Sequence, residues 1–140
     1  MVTEWRARNT RLRVQQQKAR ERDRAKERVI ARERRPDRLQ ASVGAFRYSN
    51  GTPCQSPAAD RVRNLVASHP EWSDDALVKV ACKAIWTGMT EDQLVASWDR
   101  PDDINRTVYS FGVHEQWVYG NGTYVYLEDG IVTAYQTTRN

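Results

Sequence analysis

From Thr3 to Arg35 the chain contains neither glycine nor proline, and its residues are mostly Arg, Gln, Ala, Glu and Lys. Such side chains lose little rotamer freedom in a helix, so a long helix is the natural expectation. Pro36 is predicted to end it, because proline disfavours the helical region for the residue before it. Trp5, Leu12, Ala19 and Ile30 line up near one stripe at roughly seven-residue steps, with Lys26 interrupting it. The second apolar position that a coiled coil needs in each heptad falls on Arg8, Gln16 and Asp23, which argues against stable self-pairing.

The basic residues are patterned. Arg6, Arg13, Arg20, Arg24, Arg28 and Arg35 share one sector of a helical wheel. Arg20, Arg24, Arg28 and Arg32 stand four apart, a spacing at which like charges repel by a few tenths of a kcal/mol per pair. Residues 1–40 hold 14 Lys/Arg against 6 Asp/Glu, a balance of +8, whereas the remainder carries −4. This split makes residues 1–40 a basic helical arm with its own task. Neutralisation by phosphates would relieve the repulsion and release counterions, giving sequence-independent, salt-sensitive binding. The arginine sector is thus a candidate nucleic-acid-binding face. Docking on an acidic protein surface and a solvated extension are the other readings of a mixed Arg/Glu helix, and Trp5 is the arm's only aromatic for base stacking.

No run approaches the roughly 18 apolar residues of a membrane span, and the first residues lack the apolar stretch of a secretory signal. The expectation is a cytoplasmic protein that does not engage a membrane, with Cys54 and Cys82 as reduced thiols.

Residues 41–57 read as a linker, with turn chemistry at Asn50-Gly51 and Thr52-Pro53 and a short strand around Phe46 to Tyr48. Ser56-Pro57 is a helix start, and that helix should stop at about Ser68. Ser73, followed by Asp74 and Asp75, caps a further helix with Leu77, Val80, Ala81, Ala84 and Ile85 on its inner stripe and Gly88 at its end. Thr90 to Gln93 is a capping box opening another, with Leu94, Val95 and Trp98 inward. The period then switches to two. Arg106–Phe111, Glu115–Tyr119, Thr123–Leu127 and Ile131–Gln136 are predicted strands, separated by Gly112, Gly120-Asn121-Gly122 and Asp129-Gly130. The expected fold class is α+β: two short helices on a four-stranded antiparallel meander over residues 58–140, preceded by the long basic helix.

These residues carry a resemblance. Ile85-Trp86-Thr87-Gly88-Met89-Thr90-Glu91-Asp92-Gln93-Leu94, then Trp98 and Pro101, then Glu115 to Tyr119 and Tyr124 to Val132, resemble the SmpA/OmlA (BamE-like) domain family over roughly residues 73–136. The resemblance implies a compact module whose surface binds other proteins. The chain lacks the lipoprotein signal of the membrane-anchored members. It also carries Asp99 where the family often has Gly, a substitution that Asp's tolerance of left-handed backbone accommodates.

No catalytic constellation is evident. Cys54, His69, Cys82 and His114 lack zinc-ligand spacing. His114 beside Glu115 is a possible base, but a lone histidine on a sheet is more often structural. Asp99, Asp102 and Asp103 read as turn formers rather than a Mg²⁺ site. The chain contains no phosphate-cradling glycine loop and no Gly-x-Ser-x-Gly. Neither metal nor cofactor is expected. Trp117, Tyr119, Tyr124 and Tyr126 are candidate protein-binding anchors, or else core and cross-strand pairs. The leading expectation is a non-enzymatic binding protein whose module takes a protein partner and whose arm takes nucleic acid or an acidic surface. The alternative is an assembly component, for example of a virion, whose arm docks on neighbouring subunits.

Overall fold

The computed structural model describes residues 2–137. The order of elements is α1 (Val2–Ala45), α2 (Ala59–Ser68), α3 (Asp74–Ala81), α4 (Glu91–Trp98), β1 (Asp103–Tyr109), β2 (Gly112–Val118), β3 (Tyr124–Glu128) and β4 (Ile131–Gln136). This is an α+β fold. Two compact units divide the chain after Asp37.

Helix α1 passes through Pro36 instead of ending there. An interior proline costs about 3 kcal/mol. Beyond it, Leu39 and Val43 are 1% and 0% exposed, and full burial of each contributes about 1.5–3 kcal/mol. Packing in the last turns thus offsets the break that local preference favours. What reads as the start of a linker, residues 41–45, is helical. The extended piece near Phe46 to Tyr48 is present as a bridge between Arg47 and Pro53.

Two apolar clusters build the second unit. In the helical one, Leu39 and Val43 of α1 meet Val62 and Val66 of α2 and Leu77, Val78 and Ala81 of α3, with Cys54 and Cys82 among them. The two cysteines form a disulfide, with Cα atoms 5.5 Å apart. The expectation of reduced thiols is corrected here, because the fold brings together two sulfurs that are distant in sequence. Helix α2 begins at Ala59 with Ala58 at its N-cap and no side-chain cap, so Ser56 does not serve.

In the other cluster, Met89 and Leu94 pack with Trp117, Val125, Leu127 and Val132. The sheet is a meander in the order β1-β2-β3-β4 with every pair antiparallel. Both expected tight turns form. Asn121 and Asp129 take φ values of 52° and 49°, as do the flanking glycines at 76°, 74° and 79°, which is the left-handed backbone such turns require. The ends of α4 also follow expectation: Thr90 and Gln93 make the reciprocal capping box.

Helix α3 stops at Ala81, short of the predicted end at Gly88. Lys83, at φ 56°, takes the left-handed position. Its N–H donates to the Val80 carbonyl, and the Ala84 N–H donates to Lys79. That pair of bonds is a Schellman closure, usually made by glycine. Gly88 is instead committed to the sheet: at φ 97° it donates to the Val132 carbonyl, while Val132 donates to Met89.

Candidate nucleic-acid and protein-binding surfaces

On α1, Arg6, Arg13, Arg20, Arg24 and Arg28 are exposed, and Arg35 is half-buried. One helical sector brings them together over several turns. Arg13, Arg20 and Arg24 line a shallow trough with Gln16, Gln17 and Glu21, where the Gln17 amide donates to Glu21 at 3.4 Å. Among the described residues, the first five arginines have no ion-pair partner. Their charge is therefore free for an external anion. Trp5, Leu12 and Ile30 are exposed at 63%, 49% and 46%.

The four candidate anchor aromatics are not gathered into one patch. Trp117 is completely buried at the centre of the sheet cluster, so it belongs to the core and is corrected as a partner-contacting residue. Strand alternation sends Tyr124 and Tyr126 to the opposite face from Val125 and Leu127, which are buried. Tyr126 belongs to a polar row that crosses all four strands. Asn105 donates to Gln116 at 3.0 Å, the Gln116 amide lies 3.5 Å from the Tyr126 hydroxyl, and that hydroxyl donates to Gln136 at 3.1 Å. His114 lies on this face too, 3.9 Å from Glu128 and stacked near Tyr126.

Tyr119 sits on the core side. Its ring meets Trp98 edge-on at 5.3 Å, and its hydroxyl donates to the Asp99 carbonyl at 2.9 Å. Burial first, and then the Asp99 carboxylate, push its phenol well above the ordinary range. It forms one wall of a cleft of 570 Å³ whose other lining includes Tyr48, Lys83, Trp98, Asn121 and Tyr135. That volume falls within the roughly 300–1,000 Å³ typical of ligand sites.

The floor of this cleft has a clear physical origin. Just past the end of α3, three consecutive carbonyls each accept from a side-chain donor supplied from elsewhere. Tyr48 donates to Cys82, Trp98 to Lys83 at 2.8 Å, and Ser97 to Ala84 at 2.6 Å. Asp99, at φ 64° and ψ −172°, holds a backbone region used almost only by glycine. With Lys83 and Asn121 it makes three positive-φ non-glycine residues around one cleft, and such strain concentrates at ligand and switch sites. Sequence reasoning passed over Tyr48 and Lys83. Tyr48 lies in an apparent linker, and nothing local marks a lysine for left-handed backbone.

Cys54 and Cys82 are consumed by their disulfide. Among the described residues, no group of three or more His, Cys, Asp or Glu is placed to hold a metal ion. Nor is any described helix long and apolar enough to cross a membrane.

No family model matches the chain, and no curated protein or solved structure is significantly similar to it.

Proposed function

We propose that the protein is a non-enzymatic binding protein whose basic helical arm engages nucleic acid and whose helix–sheet module engages a protein partner. The observation that carries this reading is the row of exposed arginines on α1, Arg6, Arg13, Arg20, Arg24 and Arg28, none with an ion-pair partner among the described residues. Side chains already paired to acids would have little free energy left for an external anion, whereas these release counterions when phosphates replace them. The module's share of the work is supported by the resemblance to the SmpA/OmlA family. It is supported too by the polar-aromatic row through Tyr126 and by the strained cleft beside Tyr119.

Fluorescence anisotropy with a short DNA duplex tests the arm. Replacing Arg13, Arg20, Arg24 and Arg28 with Gln should weaken low-salt binding at least tenfold and flatten its salt dependence, while Tyr126→Ser in the module should leave it unchanged. Equal binding by parent and arm variant would sink the assignment. The assembly reading is favoured by the exposed Trp5, Leu12 and Ile30; it requires those three, rather than the arginines, to govern what the arm binds.

The cytoplasm is the proposed compartment, since nucleic acid is met there. The Cys54–Cys82 bond pulls against it, because cytosolic disulfides are rare. Both cysteines are, however, nearly inaccessible, at 8% and 3% exposure, which shields the bond from thiol exchange.

A further inference from the structure

Between Arg6 and Arg28 the cations of α1 outside the arginine sector are not scattered, whereas Arg32 and Arg34, nearer Pro36, fall between the faces. At about 100° per residue, Arg8, Arg11, Lys18, Arg22 and Lys26 fall in a second sector, centred about 160° from the first. All five are exposed. The acids respect the division in part. Asp23 and Glu27 lie between the two faces on one side and Glu21 on the other, while Glu4 and Glu33 dilute only the second face. On the narrower side the intervening positions include Thr3, Ala7, Val14 and Ala25, which are small. The arm is therefore a cylinder with two nearly opposite cationic walls, running along the axis for about 27–33 Å.

A flat acidic surface or a single strand offers charge to one side of such a helix and leaves the other wall uncompensated. The major groove of B-form DNA is about 12 Å wide and admits an α-helix, so a phosphate backbone flanks it on both sides. A helix with side chains is about 10–12 Å across. We infer that the arm lies in the major groove of duplex DNA, with one cationic wall against each backbone. This rests on the proposed nucleic-acid reading and adds the form of the ligand and the second binding face. Duplex RNA is excluded by the same geometry, because its major groove is deep and narrow.

The test uses the full chain and two variants, one with Arg13, Arg20 and Arg24 replaced by Gln, the other with Arg11, Lys18 and Arg22 replaced by Gln. Circular dichroism establishes that helix content is kept. Each is titrated over a salt series against a DNA duplex, an RNA duplex and a DNA single strand. Both variants should reduce the slope of log K against log salt on duplex DNA by roughly 2–3, at about 0.9 per lost phosphate contact. The parent should bind the RNA duplex and the single strand at least tenfold more weakly. A second-face variant that binds duplex DNA like the parent would overturn the groove placement, as would equal affinity for all three probes. Absence of salt-sensitive binding by the parent to any probe would overturn the nucleic-acid reading itself, a result distinguishable from either of those.

Discussion

Lys83 and Tyr119 face the same cleft and are constrained in different ways. A left-handed backbone costs an L-residue about 1–2 kcal/mol, and Lys83 meets that cost to close α3. Lys83→Gly should therefore raise stability by about 1 kcal/mol and Tm by roughly 4–8 °C. A lower Tm in thermal unfolding would show that the lysine side chain holds something the backbone does not. For Tyr119, the folded pKa is raised above the ordinary 10.0. The stability linked to its proton is thus fully present below that value. It is lost as pH rises beyond, where the unfolded chain ionises and the folded one resists. Tyr119→Phe should make Tm fall less steeply on the alkaline side of this value, and parallel alkaline profiles for parent and variant would contradict the burial argument.

At the scale of elements, what local chemistry dictates was legible and what tertiary contacts dictate was not. The Thr90 capping box and the Asn121 and Asp129 turns depend on side chains and backbone within a few residues, so their positions follow from the sequence. Pro36 misleads because Leu39 and Val43 find a core supplied by α2 and α3. The early stop of α3 was hidden for the same reason: the carbonyls of Cys82, Lys83 and Ala84 that follow it are met by Tyr48, Trp98 and Ser97 from elsewhere in the chain. The candidate surfaces divide likewise. The arginine sector is periodic within one helix and was readable, whereas the split of Trp117 from Tyr124 and Tyr126 required knowing which face the core covers. The Cys54–Cys82 pairing also needed the third dimension. It closes a loop with a sequence separation of 28, for which chain entropy gives about 3–4 kcal/mol. Reduction, or Cys54→Ser with Cys82→Ser, should lower the urea midpoint of the second unit accordingly. An unchanged midpoint would mean that the two side chains pack as well apart as bonded.

Across the whole molecule, the charge division of the sequence coincides with a structural one. Within the +8 segment Arg6, Arg13, Arg20, Arg24 and Arg28 are exposed, and from Arg38 onward the chain folds around two apolar clusters. A helix of repelling arginines gains most from a dense array of phosphates. The most direct measurement is the affinity of the full chain for duplex DNA across a salt series. Five exposed arginines on the first face, each worth about 0.9, predict a log–log slope of about −4.5 or steeper. A slope near zero, or no binding at low salt, would contradict a nucleic-acid role for the arm.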